Sequence, residues 1–324
     1  MSKRKRQNIS LIKDREPVIS TVVTPGSFSA ATLSRSILFN AQSWETSEKI
    51  GAKIKSRVWP QYHETIKRIE RAQTVEALVD LAPEAVGLAR NAWYRQARQF
   101  GPEILPVISD RLRTMSGIPD EDVRTVIIEC LGGELRWRGE AGAKILLERF
   151  DQLDYYGRSF ASIVLGLLDA QAAADLIWKF YQKAVQDRYE AHFIGALWGL
   201  IDLKDIRVPD ALLDFLIKRR YFAELFGLLS IAGDERAIIP LLLLAIDLPE
   251  ETKFEPLMSA SGISHRIGRD ILTSTLEEAS ADDTGSWAET MAEAILDRSQ
   301  DQVEEYFAIF YRPLSELDAE GITE

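Results

Sequence analysis

The dipeptides LG at 131–132, LG at 165–166, WG at 198–199 and FG at 226–227 decide the fold, and all four lie within the stretch Leu131–Ile246. Each ends an apolar helical pattern and is followed by a short polar link and another apolar run. The steps between the glycines are 34, 33 and 28 residues. Steps of this size are typical of stacked helical hairpins, each of which buries its apolar face against its neighbours. The sequence therefore predicts an all-α repeat fold.

Alignment of the four copies on their glycines shows that the period is helical. The residues one, two, five and six positions before each glycine are apolar or aromatic in every copy, which makes a stripe along one face of a helix. Cys130 and Trp198 belong to this stripe. We therefore interpret Cys130 as a buried, inert thiol rather than a nucleophile, and Trp198 as a core residue.

The segment ILPVISDRLRTMSGIPDEDVRTVIIECLGGEL, Ile104–Leu135, resembles a HEAT repeat. It combines a first helix that contains a proline, a short turn, acidic residues that lead into Val-Arg, and an apolar second helix that ends in Leu-Gly. ILPVI at 104–108 aligns with IIPLL at 238–242, so Pro106 and Pro240 predict a shared kink in the first helix. The resemblance implies a right-handed superhelix of stacked antiparallel helix pairs, a HEAT-like α-α superhelix. HEAT-like families include scaffolds, phycobilin-lyase subunits and alkylpurine DNA glycosylases, so the fold is a weak guide to function.

A further column, eight positions before the glycines, holds Arg124, Arg158 and Arg219, with Ala191 as the exception. On successive second helices these arginines would form a ladder across the stack. In proteins that resemble HEAT repeats, such arginines pair with carboxylates between repeats. Ligand binding is the alternative interpretation of the column.

The rest of the chain divides around the repeats. We predict a basic extended or disordered arm over residues 1–43, a repeat domain over 44–280, C-terminal capping helices over 281–313 and an acidic tail over 314–324. Residues 7–43 show no helical period and contain Thr24-Pro25-Gly26-Ser27 followed by a Ser/Ala-rich segment. A capping-box pattern at Ser286 and Glu289 predicts the start of the capping helices.

Charge is distributed unevenly along the chain. Residues 1–70 contain 13 Lys and Arg against 6 Asp and Glu, a formal charge of +7, whereas residues 71–324 contain 26 against 44, a formal charge of −18. An acidic body repels phosphate backbones and suits a cationic protein or peptide partner. Nucleic acid is disfavoured for the body but stays open for the basic arm, whose SKRKR at 2–6 has a solvated tail as its alternative interpretation.

No stretch of the sequence predicts export or a membrane span. Polar residues interrupt what would be the apolar part of a signal peptide after SKRKR. The longest apolar run, Ala237–Ile246, has ten residues, too few for a bilayer. The single cysteine favours a reducing compartment. We expect a cytoplasmic protein, and the sequence leaves its oligomeric state open.

A first candidate binding cluster consists of Arg90, Trp93, Tyr94, Arg95 and Arg98. Arginines beside aromatic rings are what a stacking or cation–π surface needs. Core packing of the tryptophan, with surface ion pairs of the arginines, is the alternative.

A second candidate cluster lies in the polar connection that we predict over Ser259–Gly268. It contains His265 and Arg266, and Arg269 adjoins it. Cations next to glycines suit a small anion or an acidic peptide. A plain loop between repeats is the alternative.

The sequence lacks the motifs of known catalytic sites. His63-Glu64 has no second histidine as in a zincin helix, and there is no glycine-rich phosphate loop, nucleophile elbow or Cys/His metal spacing. We therefore expect no catalytic residue, cofactor or metal, and favour a non-enzymatic scaffold or adaptor that binds a partner on the inner, second-helix surface. Two alternatives stay open: a DNA-glycosylase-like or chromophore-lyase-like HEAT-repeat enzyme that uses Trp93, Arg95 or a groove carboxylate, and a carrier for a functional basic arm.

Overall fold

The computed structural model describes residues 29–39, 60–188, 190–249, 252–280, 293, 295 and 297–311. Every regular element in these residues is helical, so the all-α prediction is confirmed. They divide into two compact units, which lie within Ser29–Asp205 and Ile206–Arg312 and which we call the N-terminal and C-terminal units. This division falls inside the predicted repeat domain of residues 44–280, whose bounds stay a prediction. None of the helices in the described ranges combines the length and the apolar character of a membrane span.

The N-terminal unit consists of helices joined by short turns. In chain order they are α1 (Ala30–Phe39), α2 (Pro60–Glu70), α3 (Val75–Asp80), α4 (Leu88–Ala97), α5 (Ile104–Leu112), α6 (Glu121–Trp137), α7 (Glu140–Arg149), α8 (Tyr155–Leu167), α9 (Ala174–Gln186) and α10 (Glu190–Asp202). Alternate helices lie side by side: α4, α6, α8 and α10 form one row, and α3, α5 and α7 form a second. α9 packs against α10, and α7 against α6. The chain therefore runs back and forth between neighbouring rows.

The repeated glycines mark close contacts between helices. Gly166 does lie at a helix end, next to the last residue of α8, but the interpretation of the Leu-Gly dipeptides as helix ends is wrong for Gly132. Gly132 lies inside α6, and Gly199 lies inside α10. A Cβ added to Gly166 of α8 would stand 2.7 Å from the carbonyl oxygen of Gly199, so a side chain there would collide with the backbone of the next helix. The glycine period records where neighbouring helices of the row need the smallest residue.

Helix α1 lies inside the predicted extended arm, so the prediction of no helical structure is wrong over Ala30–Phe39. The Ser29 hydroxyl accepts a hydrogen bond from the backbone N–H of Thr32 at 3.3 Å, as an N-cap residue does. Among the α1 residues whose burial the structure describes, the buried ones are Ala31, Thr32, Ser34, Ser36 and Leu38. Because most of them are small or polar, burial on α6, α8 and α10 leaves no apolar period in the sequence. The rest of the arm lies outside the described residues.

The C-terminal unit has the same all-helical character. Its helices are α11 (Val208–Ile217), α12 (Leu225–Ala232), α13 (Ile238–Asp247), α14 (Phe254–Ile267), α15 (Arg269–Ser280), α16 (Gln300–Tyr306) and α17 (Ala308–Tyr311). α14 packs against α12, α13 and α16. Ser299 and Gln302 form a capping box at the start of α16. The predicted capping box at Ser286 and Glu289 and the acidic tail lie outside the described residues.

The segment Ser259–Gly268 is not a polar connection, because its first nine residues belong to α14 and Gly268 is the C-cap of that helix. Ser259, Ser261 and Ser264 are buried. The Ser261 hydroxyl donates to the carbonyl oxygen of Leu257 at 2.9 Å, and the Ser264 hydroxyl donates to that of Ser261 at 2.7 Å. These two serines bond to the preceding turn of their own helix, so a polar sequence is compatible with a buried helix.

Pro106 and Pro240 stand in the first turn of their helices, which removes the reason for a shared kink. Each is the third residue of its helix, α5 and α13 respectively. The N–H groups of a first turn have no partner within the α-helix, so a proline there costs little. The two segments do share the same register.

Candidate functional site

Helix α1 is held on α10 by an ion pair that is almost removed from solvent. The Arg35 guanidinium donates from Nη2 to Oδ1 of Asp202 at 2.7 Å and from Nε to Oδ2 at 3.3 Å. The two side chains are 11% and 13% exposed. The guanidinium also lies 4.5 Å from the ring centroid of Trp198. A carboxylate and an aromatic face together form a receptor for an arginine side chain.

Two further contacts hold the two ends of α1. Near its start, Trp198 Nε1 donates to Thr32 Oγ1 at 2.9 Å. Near its end, the Arg136 guanidinium of α6 donates to the carbonyl oxygen of Leu38, a group that the end of a helix leaves without an internal partner. We call Arg136, Trp198 and Asp202 the α1 seat.

Electrostatics at the α1 seat follow from its burial. Burial lowers the pKa of Arg136. The positive charge of Arg35 adds to this lowering, and the negative charge of Asp202 opposes it. An arginine keeps its charge at neutral pH despite such a shift. The α1 seat therefore presents the Asp202 carboxylate to an arginine and the Arg136 guanidinium to the carboxyl end of a helix. The carboxyl end of a helix carries partial negative charge, so a cation is favourable there.

No sequence pattern points to the α1 seat. Trp198 is buried, as the apolar stripe predicts, but its N–H also binds α1. Arg35 and Asp202 are 167 residues apart. Asp169 and Asp202 both stand three residues after a repeated glycine, but that shared offset does not indicate a partner for either of them. Ser29, placed three residues before Thr32 as an N-cap, is the one local signal that could have marked a helix here.

The candidate cluster on α4 is divided between core and surface. Arg90 pairs with Glu129 of α6, Trp93 donates to the Leu78 carbonyl oxygen at 2.8 Å, and Tyr94 donates to the Glu129 carbonyl oxygen at 2.5 Å. Trp93 and Tyr94 are buried. Arg95 is exposed and lies 3.7 Å from Glu70, and the Arg98 guanidinium lies 4.8 Å from the Trp137 ring centroid. These five side chains do not form one binding surface.

The contact between α4 and α6 contains buried titratable groups. Burial raises the pKa of Glu129, and the Arg90 guanidinium opposes that rise. Burial also raises the pKa of the Cys130 thiol to about 12. Cys130 is a free, buried cysteine, so its interpretation as a core thiol is confirmed.

The three arginines of the predicted ladder have unrelated surroundings. The Arg124 guanidinium lies 3.8 Å from the ring centroid of Tyr156. Arg158 donates to the carbonyl oxygens of the two nearby residues Leu153 and Asp151, at 3.0 and 2.6 Å. Arg219 is not on a second helix: it follows α11 in a turn with φ +53° and pairs with Asp247 at 3.2 Å. The alignment fails there because α12 begins only at Leu225, so the ladder prediction is wrong for Arg219.

The side chains of His265 and Arg266 contact backbone carbonyl oxygens of other segments. The sequence predicts instead that they bind an anion. Arg266 donates to the carbonyl oxygens of Ser230 at 2.9 Å and Gly233 at 2.6 Å, at the end of α12. A cation at the carboxyl end of a helix interacts favourably with the partial negative charge there and donates hydrogen bonds to the free carbonyl oxygens. His265 Nε2 lies 2.9 Å from the Arg298 carbonyl oxygen. Arg269 is the first residue of α15.

An open groove of about 680 Å³ lies beside α14 and α16 in the C-terminal unit. It is lined by Phe254, Met258, Asp297, Arg298, Gln302, Glu305 and Tyr306. Phe254 and Tyr306 are 41% and 39% exposed, with ring centroids 5.2 Å apart. The Arg298 guanidinium lies 4.9 Å from the Phe254 centroid, so the chain places its own cation on one of the two rings.

Within the described ranges, no group of three or more His, Cys, Asp or Glu side chains is arranged to hold a metal ion. The contacts above are those of helices packed against one another within the chain. Comparison of the chain with models of protein families, with curated proteins and with solved structures gives no match.

Proposed function

We propose that the chain is a non-enzymatic scaffold or adaptor that binds a helical segment of a partner protein on the row of α6, α8 and α10. One observation carries the proposal: this row holds the short helix α1 through an ion pair to Asp202, a hydrogen bond from Trp198 and a carbonyl contact of Arg136. Recognition of a helix by a groove of packed helices is a recurrent mode of protein binding. A row that holds one helix by side-chain contacts has the chemistry to hold another.

The proposed architecture is a HEAT-like, right-handed superhelix in which this row is the inner, second-helix surface. The side-by-side packing of alternate helices and the close approach of Gly166 to Gly199 support it. The proposed partner is cationic where it meets the row, because Asp202 receives an arginine and residues 71–324 have a formal charge of −18. On the sequence argument from its single cysteine, we place the protein in the cytoplasm.

An enzyme of the glycosylase or lyase type has less support. Trp93, which would have to stack on a ligand, is fully buried and donates its N–H to Leu78. Arg95 lies on the surface near Glu70. The third hypothesis, a functional basic arm over residues 1–43, stays a prediction.

A capture experiment with point variants tests the proposal. Tagged full-length protein is expressed in its source cells as wild type, as Asp202→Ala, and as Asp110→Ala, a control in which an exposed carboxylate is lost. We expect a defined protein to be recovered with the wild type and with Asp110→Ala but not with Asp202→Ala. A partner that is recovered equally by all three baits would place binding away from the α1 seat and contradict the proposal.

A further inference from the structure

Helix α1 is bound to its seat as a ligand is bound to a receptor, and we infer that it competes there with a partner helix of the same chemistry. This inference rests on the proposed function and names both its partner and its regulation. Three contacts follow a three-residue spacing along one side of α1: the Thr32 hydroxyl, the Arg35 guanidinium and the Leu38 carbonyl. The Leu38 side chain is itself 1% exposed, so the partner helix carries the pattern Thr/Ser-x-x-Arg-x-x-Leu and ends soon after the leucine.

The arginine is the element of the pattern that determines specificity. Its receptor combines Asp202 with the face of Trp198, and the pair is shielded from water. A bidentate guanidinium fits this geometry, whereas a lysine ammonium cannot make both the fork and the stack. A partner helix without the arginine would leave Asp202 without its two hydrogen bonds in a site shielded from water, which is unfavourable although the charge of Arg136 also acts on Asp202. The α1 seat thus rejects helices that lack an arginine at this position.

The remaining buried positions of α1 set the size of the partner residues. Ala31, Ser34 and Ser36 are 8%, 2% and 1% exposed. Their small side chains let the α1 backbone lie against α6, α8 and α10, so larger residues at the same positions would be excluded by the packing. A long aliphatic helix, of the kind that fills many hydrophobic grooves, does not fit this seat.

The covalent link between α1 and the row regulates binding. A segment of the same chain competes at an effective concentration on the order of millimolar. A free helix of equal intrinsic affinity therefore binds the wild type weakly, because the α1 seat is open in only a fraction of molecules. A change that weakens the binding of α1 to the row, and leaves the row itself unchanged, raises the affinity of the protein for the partner helix.

The two halves of the Arg35–Asp202 pair separate this mechanism from a purely structural role. In Arg35→Ala the competitor is weakened and the receptor is intact, whereas in Asp202→Ala the receptor itself is lost. A structural ion pair would make both substitutions act in the same direction. Competition instead predicts that Arg35→Ala strengthens the binding of a helix in trans, whereas Asp202→Ala weakens the binding of that helix and of the competitor α1 alike and gives no gain.

The probe is a fluorescein-labelled peptide with the sequence of residues 26–43, titrated with full-length protein and followed by fluorescence anisotropy. We expect Arg35→Ala to bind the peptide at least tenfold more tightly than the wild type does. Asp202→Ala, the double variant Arg35→Ala/Asp202→Ala, and a peptide with alanine in place of its arginine should each bind at least tenfold more weakly than the Arg35→Ala protein binds the original peptide.

Folding is checked by circular dichroism, and Leu38→Ala replaces Arg35→Ala if the latter does not fold. A folded variant with weakened α1 that binds the peptide no better than the wild type does would overturn the inference, because α1 would then be a fixed part of the core. A dimer of Arg35→Ala in light scattering, dispersed by the peptide, would also overturn it and assign the α1 seat to α1 of a second copy.

The two proposals fail in different ways. If the peptide behaves as expected but no Asp202-dependent protein is captured from cells, the proposed function fails and the competition within the chain stands. If a partner is captured but Arg35→Ala lowers its recovery as Asp202→Ala does, the competition is overturned. In that case the partner binds a surface that includes α1.

Discussion

The Arg35 guanidinium and the Asp202 carboxylate meet at 2.7 Å across a sequence separation of 167 residues, and they join helix α1 to helix α10. Both side chains are nearly excluded from water. Desolvated, charge-assisted hydrogen bonds of this kind contribute more to stability than exposed pairs do, and the loss of one partner leaves the other buried without its counter-charge. The pair is therefore a strong electrostatic link between α1 and the row of α6, α8 and α10.

Asp202→Asn should lower the free energy of unfolding by about 2 kcal/mol, because it removes a charge from a nearly buried pair. Asp110→Asn is the control, since Asp110 is 56% exposed and pairs with the surface side chains of Arg113 and Arg149. Its loss should cost less than about 1 kcal/mol. Urea denaturation followed by circular dichroism measures both. Equal losses in the two variants would show that burial does not strengthen the Arg35 pair.

Gly166→Ala should destabilise the N-terminal unit by about 1–3 kcal/mol, the usual range for overpacking. The added Cβ would lie 2.7 Å from the carbonyl oxygen of Gly199, and a backbone atom has little room to move. Gly117→Ala is the matched control, because a Cβ there meets no atom within 4 Å. The control should be neutral or slightly stabilising. If thermal denaturation finds the two variants alike, α8 and α10 do not approach each other as closely as described.

The parts of the fold that could be predicted from sequence are those recorded by local periods. Cys130 and Leu131 stand in an apolar stripe of α6, and both are fully buried. The glycines repeat because neighbouring helices touch, although the sequence alone does not distinguish a helix contact from a helix end. Arg219 shows the limit of such columns. Its offset matches Arg124 and Arg158, but a turn with positive φ places it after α11.

The candidate site could not be predicted because its determinants are either distant or small. The partners of Arg35 are Asp202 and Trp198 of α10, and only the folded chain brings them next to it. The buried face of α1 consists largely of alanine, serine and threonine, and such residues are equally common in loops. Helix α14 could not be predicted over Ser259–Gly268 for the same reason, because its buried serines donate hydrogen bonds within their own helix.

Stability should fall with acidification through His192. Burial lowers the pKa of His192 below its ordinary value of 6.5; Asp154 and Asp187 oppose the change, and Arg124 adds to it. As the pH falls below 6.5, the unfolded chain binds a proton that the folded chain does not, so the free energy of the unfolded state falls relative to that of the folded state. The contribution of His192 is therefore fully present above that pH and is lost below it.

His192→Phe tests this pH dependence and keeps a ring between Tyr155 and Tyr156, which both contact His192. Between pH 7 and pH 5 the wild type should lose more stability than the variant, by no more than about 1.4 kcal/mol for each pH unit. Parallel slopes for the wild type and His192→Phe, measured by urea denaturation across this range, would rule out the linkage.

Cys130 should resist alkylation in the folded protein and react once the chain unfolds. Its thiol is fully buried, lies 3.8 Å from the carbonyl oxygen of Ala85, and has a pKa raised by burial to about 12. At pH 8 almost none of it is the reactive thiolate, and iodoacetamide has no path to it. Mass spectrometry should find no adduct in native buffer and one adduct per chain in denaturant, since the sequence has one cysteine. Any labelling that appears in native buffer on much longer incubation then measures opening of the contact between α6 and the Ala82–Glu84 turn. An adduct that forms as fast in native buffer as in denaturant would mean that Cys130 is open to solvent, and the packing of α6 against the Ala82–Glu84 turn would have to be revised.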